Sequence, residues 1–189
     1  MFQIFQRFVF QYPTPRESTD FTKNIKLLTL WKKSLLKSYK ELATAEPLIS
    51  VIQQKETLLI TSDGSKSSEM SGEGWIIADV EGRELLYEFN PEFGDITQIN
   101  SPRAEIYGSL LVFMFLNEYC KFYKMDLQSP IKYYCDNKDV VTKLSNITER
   151  NRNYCLSNSK IKDLDAVLEI KKYIPTTVTV THVRGHQDQ

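Results

Sequence analysis

The feature that most constrains the fold is a series of three short β-patterned runs between residues 57 and 90. The runs occupy residues 57–62, 74–80 and 84–90, and each is rich in β-branched, aliphatic or aromatic residues. Short links separate them, which predicts an antiparallel meander, because tight turns can join only antiparallel neighbours. We expect the first strand to run into a turn at Asp63-Gly64-Ser65.

Helical and β-patterned segments alternate after the meander. A long helix is predicted from Ser101 onwards, because serine can cap a helix and Pro102 can occupy its first position. The later elements are predicted as a strand at 131–136, a short helix at 139–144, a loop at 145–159, a helix at 160–173 and a strand at 177–183. Crossover helices make the last two strands parallel to the first. The predicted fold class is α/β: a mixed five-stranded sheet, three antiparallel strands and then two parallel ones, flanked by helices.

Residues 1–55 are predicted to form an accessory N-terminal segment, separate from a domain at 56–189. Apolar residues recur every three or four positions over residues 18–45, which predicts one amphipathic helix. The opposite face of that helix is rich in lysine. Such a face can contact nucleic acid, or it can be the solvated side of a helix packed on a core.

Composition excludes several classes of protein. No apolar run reaches the roughly 20 residues that span a bilayer, so no membrane association is expected. The N-terminal residues lack the basic start, long apolar stretch and cleavage site of a secretory leader, which predicts an intracellular protein. The three cysteines, Cys120, Cys135 and Cys155, suit neither a disulfide framework nor a CxxC zinc site. We expect them to be reduced and mostly buried.

The charge of the chain is unevenly distributed, although 24 basic and 24 acidic residues balance overall. Residues 1–55 carry 9 basic and 4 acidic side chains, residues 56–110 carry 3 and 11, and residues 111–189 carry 12 and 9. An acidic middle between basic segments is compatible with a metal site beside a phosphate-binding surface. Solvated faces of ordinary proteins show the same imbalance, so the charge alone leaves both interpretations open.

Three acidic residues are candidates for a common site. Asp63 and Asp136 each follow a strand that is predicted to be parallel to the other, so both should emerge at the edge where α/β sheets bind ligands. Glu105, expected in the first turn of the long helix, can reach the same edge. Each acid alone has a structural explanation, as a turn residue or a partner of the helix dipole. Together they would repel one another unless the cluster is protonated or binds a metal, and oxygen ligands favour Mg²⁺ or Mn²⁺.

Four motifs occur in a recognisable order: ITSDGS, SPRAEIYGSLL, YYCDNKDVV and THVRGHQD. From about residue 57 to 189 the chain resembles the type 1 ribonuclease H domain, especially the retrotransposon-associated form found with reverse transcriptases. The resemblance implies the ribonuclease H fold and hydrolysis of the RNA strand of an RNA/DNA hybrid with two Mg²⁺ or Mn²⁺ ions. It also implies that Asp63, Glu105 and Asp136 are the metal-binding catalytic residues. His186 matches a histidine that assists proton movement or product departure.

The same resemblance implies a nucleic-acid partner that is recognised by shape. Ribonuclease H domains read groove geometry, phosphates and 2′-hydroxyls rather than base sequence. The expected nucleic-acid-binding residues are Gly64, Ser65, Ser101, Arg103, Asn137, Lys138 and Arg184. Arg150 and Arg152 either hold phosphates or are solvated surface. Ser101 and Pro102 depart from the amide side chains that family members carry near this helix start.

The C-terminal end of the sequence departs from the family pattern. Family members carry a fourth metal-binding aspartate downstream of the mobile histidine, near the start of a final helix, and this sequence ends three residues after His186. We therefore expect a C-terminally truncated domain that lacks its final helix, with activity impaired by the missing ligand. Asp188 is a candidate substitute for that ligand.

Three functions remain open at this point. The first is a metal-dependent endonuclease that acts on RNA/DNA hybrids, expected as a monomer and compatible with a place in a larger reverse transcriptase polyprotein. The second is a catalytically weak or inactive transposon-derived relic that retains the fold and nucleic-acid binding. The third is another metal nuclease of the same broad fold, such as an integrase or exonuclease, which the GHQD ending and the RAE helix start disfavour.

Overall fold

Six helices and five strands occur in the part of the chain that the computed structural model describes. The described residues are 19–36, 39, 46–66, 71–91, 101–149 and 163–184. The helices are α1 (Thr19–Leu27), α2 (Leu30–Leu35), α3 (Glu46–Gln53), α4 (Ser101–Phe122), α5 (Lys138–Glu149) and α6 (Leu164–Ile170). The strands are β1 (Leu58–Lys66), β2 (Ser71–Ala78), β3 (Glu84–Pro91), β4 (Ile131–Cys135) and β5 (Val178–His182).

The five strands form one mixed sheet in the order β3-β2-β1-β4-β5. β1, β2 and β3 are antiparallel neighbours, whereas β1 and β5 both run parallel to β4. The predicted meander followed by two parallel strands is confirmed. β1 lies at the centre of the sheet, so residues on it can meet residues from both halves of the chain.

The turn expected at Asp63-Gly64-Ser65 was wrong, because β1 continues through these residues to Lys66. Antiparallel pairing with β2 extends over the whole of this stretch and ends at Lys66 opposite Ser71. Parallel pairing with β4 stops earlier, at Thr61 opposite Tyr134. Beyond that point the β4 side of β1 is open, and Asp63 lies beside the opening.

Helix α4 packs across β1 and β2 and forms the main buried layer against the sheet. Ala104, Leu111 and Phe115 are among its buried residues. It approaches β1 closely at Gly108, where an added Cβ would lie 3.1 Å from Cβ of Ser62. A residue without a side chain at this position therefore permits the helix to lie directly on the central strand.

The single N-terminal helix expected over residues 18–45 was wrong. Helices α1 and α2 are separated at Thr29, whose extended backbone has φ −56° and ψ 151°. Phe21 packs edge-to-face against Tyr119 of α4 with 5.0 Å between ring centroids, and Leu35 belongs to the same hydrophobic cluster. The extended conformation of Thr29 interrupts the ladder of helical hydrogen bonds. Residues from both helices contribute to the core.

The loop expected from residue 145 was also wrong in its first part, because α5 extends to Glu149. Val140, Leu144 and Ile147 are buried along one face of this helix, so its apolar spacing continues past the predicted end. The remainder of that expected loop, and the start of the helix predicted at 160, lie outside the described residues. Helix α6 follows Asp163, which has a left-handed backbone conformation with φ 60°.

Two further expectations concern cysteines and membranes. Cys120 and Cys135 are free thiols and are buried, as predicted, whereas Cys155 lies outside the described residues. Within the described ranges, no helix combines the length and the apolar character that crossing a bilayer requires.

Candidate active site

The sheet brings Asp63 and Asp136 to the same edge. Thr61 of β1 lies opposite Tyr134 of β4, and extending this parallel register by two residues places Asp63 level with Asp136. Asp136 directly follows the last residue of β4, so its backbone is no longer part of the ladder. The two aspartates therefore occupy the position that the strand pattern predicted for them.

Glu105 approaches this edge from helix α4. It is the fifth residue of the helix and begins the second turn, so the expectation of a first-turn position was wrong. Its side chain is buried, at 5% exposure. The amide of Gly64 donates a hydrogen bond to the Glu105 carboxylate. The Sγ atom of Cys135 lies 3.9 Å from Oε2 of Glu105, within donating distance for a thiol.

The ionisation of Glu105 is governed by its surroundings. Burial raises the pKa of Glu105 to about 8, and the negative charges of Asp63 and Asp136 act in the same direction. The hydrogen bonds from Gly64 and Cys135 oppose this rise without cancelling it. A buried carboxyl with two acidic neighbours is the arrangement that a shared cation stabilises.

The three acids do not form an equally tight group. Ligand atoms of Glu105, Cys135 and Asp136 all lie within 4.8 Å of one another, and Asp63 is outside this set. Asp63 is nevertheless close enough to act electrostatically, because its charge raises the pKa of both Glu105 and Cys135. Glu105 forms the buried end of the constellation, Asp136 is half-buried and Asp63 is exposed.

The donor atoms fit a hard divalent cation. Carboxylate oxygens from Glu105 and Asp136 are the ligands that Mg²⁺ and Mn²⁺ prefer, and Asp63 can supply a further oxygen. Burial, followed by the charges of the neighbouring acids, raises the pKa of the Cys135 thiol to about 12. At neutral pH Cys135 therefore remains a thiol, and the oxygen ligands determine the character of the site.

Sequence reasoning missed a buried hydroxyl cluster next to the acids, formed by Ser62, Ser109 and Tyr133. The Tyr133 hydroxyl lies 2.5 Å from Oγ of Ser62 and 2.6 Å from Oγ of Ser109. All three side chains are buried. The only indication in the sequence was that Ser62 and Tyr133 fall on the inward positions of their strands, where polar residues are uncommon.

The backbone around Asp136 is fixed on both sides. The amide of Val183 donates to the carbonyl of Cys135 over 3.0 Å, and Nε2 of His182 is 3.0 Å from the carbonyl of Asp136. Oδ1 of Asn137 accepts hydrogen bonds from the amides of Asp139 and Val140, at 3.0 and 3.3 Å, and so caps helix α5. The residues flanking Asp136 thus hold the end of β4 in place.

The residues expected to bind nucleic acid have different surroundings. Lys138 and Arg184 are exposed near the carboxyl ends of β4 and β5. The guanidinium of Arg103 instead contacts Asp163 at 3.0 Å and Asp165 at 2.7 Å. The phosphate-binding role of all three stays a prediction.

Other predicted site residues lie partly or wholly outside the described residues. The side chains of Ser65 and Ser101 lie outside the described part of the structure, although both residues belong to regular elements. The positions that fall wholly outside the described ranges are Arg150, Arg152, His186 and Asp188. Their roles stay predictions.

No protein-family model and no curated protein matches the chain. Solved structures do match it. The foamy viral protease-reverse transcriptase in complex with RNA/DNA hybrid aligns with TM-score 0.50 and 15% identity, over 70% of this chain and 18% of that one. LC11-RNase H1 in complex with RNA/DNA hybrid aligns with TM-score 0.49 and 15% identity, over 68% of this chain and 86% of that one. RNase H1 from Halobacterium salinarum aligns with TM-score 0.46 and 12% identity, over 68% and 86%.

The likeness concerns the fold. The mixed five-stranded sheet, with three antiparallel and two parallel strands and a long helix packed across its centre, is the ribonuclease H fold. The predicted fold class is therefore confirmed.

Proposed function

We propose that this chain hydrolyses the RNA strand of RNA/DNA hybrids in a reaction that depends on Mg²⁺ or Mn²⁺. The observation that carries the proposal is the convergence of Asp63, Glu105 and Asp136 at one edge of the sheet, with the charges of both aspartates raising the pKa of the glutamate. The four ordered motifs of the sequence support the same activity.

Asp63, Glu105 and Asp136 would hold the cations. When bound, such ions lower the pKa of an attacking water and stabilise the departing oxygen of a phosphodiester. The chain itself holds these acids in position, because the amide of Gly64 orients the Glu105 carboxylate and the neighbours of Asp136 immobilise its backbone. Exposure of Asp63 leaves the outer side of the site accessible to a bulky polyanion.

Further observations support an RNA/DNA hybrid as the substrate. Lys138 and Arg184 provide exposed cationic groups near the acids, suited to phosphates on either side of a scissile bond. The foamy viral protein of similar fold was solved with an RNA/DNA hybrid, which supports the same class of substrate here. Hydroxyl contacts to ribose would distinguish the RNA strand from the DNA strand.

The proposal is tested with the full chain and a hybrid labelled on the RNA strand, with duplex DNA and duplex RNA as competing substrates. Cleavage of the hybrid should require Mg²⁺ or Mn²⁺ and should fall to background in Asp63→Asn, Glu105→Gln and Asp136→Asn. Asp126→Asn is the matched control, because Asp126 lies in the turn after α4, outside the acidic group. Activity of the three site variants equal to that of the control would contradict the metal roles.

A second result would change the function assigned. If the unsubstituted chain binds hybrid in a salt-sensitive way but never cuts it at saturating metal, the protein is a relic that keeps the fold and nucleic-acid binding. Preferential cleavage of duplex DNA would instead indicate the integrase or exonuclease class.

A further inference from the structure

We infer that Tyr133 is a positioning residue, whose hydroxyl fixes the relative placement of the three elements that carry Asp63, Glu105 and Asp136. The inference rests on the proposed function, since it concerns the cation site that those acids would form. It gives a role to a residue that does not touch the reacting groups and to which the motif YYCDNKDVV, which begins with it, assigned none.

The hydroxyl cluster joins one residue from each of the three elements. Ser62 belongs to β1, Ser109 to α4 and Tyr133 to β4, and the Tyr133 oxygen is 2.5 and 2.6 Å from the two serine oxygens. Tyr133 and Ser109 have no exposed surface, and Ser62 is 4% exposed. The contact is thus shielded from water, which would otherwise compete for these hydrogen bonds.

The direction of the hydrogen bonds follows because each hydroxyl has only one proton to donate. Ser109 donates to the backbone carbonyl of Glu105 over 3.2 Å, so it must accept from Tyr133. Tyr133 has then used its only proton and must accept from Ser62. Each hydroxyl donates once, and the chain of donors ends on the backbone of Glu105 itself.

Each member of the cluster is adjacent to one of the acids. Ser62 immediately precedes Asp63, and Tyr133 lies three residues before Asp136, which directly follows the strand of Tyr133. Ser109 lies one helical turn after Glu105 and is bonded to its carbonyl. A displacement of any one element therefore changes both the hydroxyl cluster and the spacing of the carboxylates.

The polar character of the cluster indicates a role beyond filling space. The ring of Tyr133 packs against Phe113 with 5.4 Å between centroids, a contact that phenylalanine could make equally well. The hydroxyls add a directional requirement, because only one arrangement of β1, α4 and β4 satisfies all of them. Gly108 makes that arrangement accessible by letting α4 approach Ser62.

Mn²⁺ binding to the full chain without nucleic acid, measured by calorimetry, separates this role from catalysis. Tyr133→Phe should weaken Mn²⁺ binding about tenfold, a typical cost for losing a group that orients metal ligands. It should lower kcat for hybrid cleavage and leave KM for the hybrid unchanged. Ile131→Val, on the same strand but without a hydroxyl, is the matched control and should bind Mn²⁺ normally at a comparable unfolding midpoint.

A triple variant distinguishes positioning from simple stabilisation. Combining Ser62→Ala, Ser109→Ala and Tyr133→Phe removes every hydroxyl, so no buried polar group is left unpaired and stability should recover relative to Tyr133→Phe. Mn²⁺ binding should remain weak, because the directional constraint is still absent.

Two results would overturn the inference. They are unchanged Mn²⁺ affinity in Tyr133→Phe, and recovery of Mn²⁺ affinity together with stability in the triple variant. Absence of Mn²⁺ binding in the unsubstituted chain would overturn the proposed function and, with it, this inference. Either of the two results above, obtained with an unsubstituted chain that binds Mn²⁺, would overturn the inference alone.

Discussion

The amide of Gly64 donates a hydrogen bond to the carboxylate of Glu105, and residue 64 lies so close to helix α4 that a Cβ atom there would be 2.3 Å from the amide nitrogen of Glu105. Carbonyl carbon and oxygen atoms of Ala104 would lie at 2.4 and 2.8 Å from the same Cβ. These neighbours are backbone atoms, which no change of rotamer can move. The absence of a side chain at residue 64 is therefore a condition for the position of Glu105.

Gly64→Ala should destabilise the fold and displace α4 from β1. An alanine would have to push the helix away, so we expect a loss of about 3 kcal/mol in the free energy of unfolding, as for a severely overpacked core. Urea denaturation measures the loss. Gly74→Ala on β2 is the control, because its added Cβ would meet the side chain of exposed Phe89 at 3.3 Å, and that side chain can move. Equal stability of the two variants would contradict the close-packing explanation.

Cation binding should release a proton from Glu105. Burial and the charges of Asp63 and Asp136 raise the pKa of Glu105 to about 8, so at pH 7 this carboxyl is mostly protonated in the cation-free protein. A divalent cation binds the ionised form, and its affinity should increase as the pH rises towards 8. Calorimetry of Mn²⁺ binding in two buffers of different ionisation enthalpy measures the release directly. Mn²⁺ binding that is independent of pH between 6 and 8 would be inconsistent with this ionisation.

A second buried carboxyl, Glu73, should make the protein less stable at alkaline pH. Burial and the charge of Glu88 raise the pKa of Glu73 from an ordinary 4.5 to about 8. The folded state therefore holds a proton that the unfolded chain releases more readily, and the resulting stabilisation is complete below pH 4.5 and is lost as the pH rises through 8. Glu73→Gln should be more stable than the unsubstituted chain at pH 8.5, by more than about 1 kcal/mol.

The pH dependence of this difference identifies its cause. The advantage of Glu73→Gln should shrink towards pH 5, where the unsubstituted carboxyl is already neutral. Glu56→Gln is a suitable control, because Glu56 is exposed and should show a difference near zero at both pH values. Thermal unfolding at a series of pH values gives all three curves. A constant difference between Glu73→Gln and the unsubstituted chain would exclude titration of Glu73 as its origin.

Arg103 should contribute to stability through helix α6. Its guanidinium contacts Asp163 at 3.0 Å and Asp165 at 2.7 Å, and it also donates to the hydroxyl of Tyr107 over 3.0 Å. Arg103→Gln should lower the free energy of unfolding by about 1 to 2 kcal/mol, more than an exposed ion pair provides. Arg184→Gln, at an exposed position, should change it by less than about 0.5 kcal/mol. Equal values for the two variants would contradict the contribution of these contacts.

The same pair of variants tests the expected phosphate contacts. A side chain that neutralises one phosphate reduces the salt dependence of hybrid binding by about one unit in the log–log slope. We expect this reduction for Arg184→Gln. For Arg103→Gln the reduction appears only if hybrid binding releases the guanidinium from its two aspartates.

The order of the elements was predictable because each segment has the period of its own secondary structure. Helix α4 shows apolar residues at helical spacing, and the β-branched pattern of residues 177–183 matches β5 (Val178–His182). The meeting of Asp63 with Asp136 was also predictable in outline, since parallel strands end at a common edge.

The errors arose where distant contacts override local chemistry. Asp63 and Gly64 have the composition of a turn, yet pairing with β2 keeps them in a strand. A continuous helix was locally reasonable around Thr29, but this residue takes an extended backbone conformation and divides the segment into two helices that both contribute to the core. The hydrogen bonds of Tyr133 with Ser62 and Ser109 could not be predicted from the sequence, because contacts between elements far apart in the chain produce no periodic pattern.

The central place of β1 has a consequence for how the protein acquires its cation site. β1 pairs with β4, although β2, β3 and the whole of α4 separate the two strands along the chain. A partly folded chain in which only the meander has formed would hold Asp63 without its companions and would have no affinity for the ion. Divalent cations should therefore stabilise only the completed sheet, and their main kinetic effect should be to slow its unfolding.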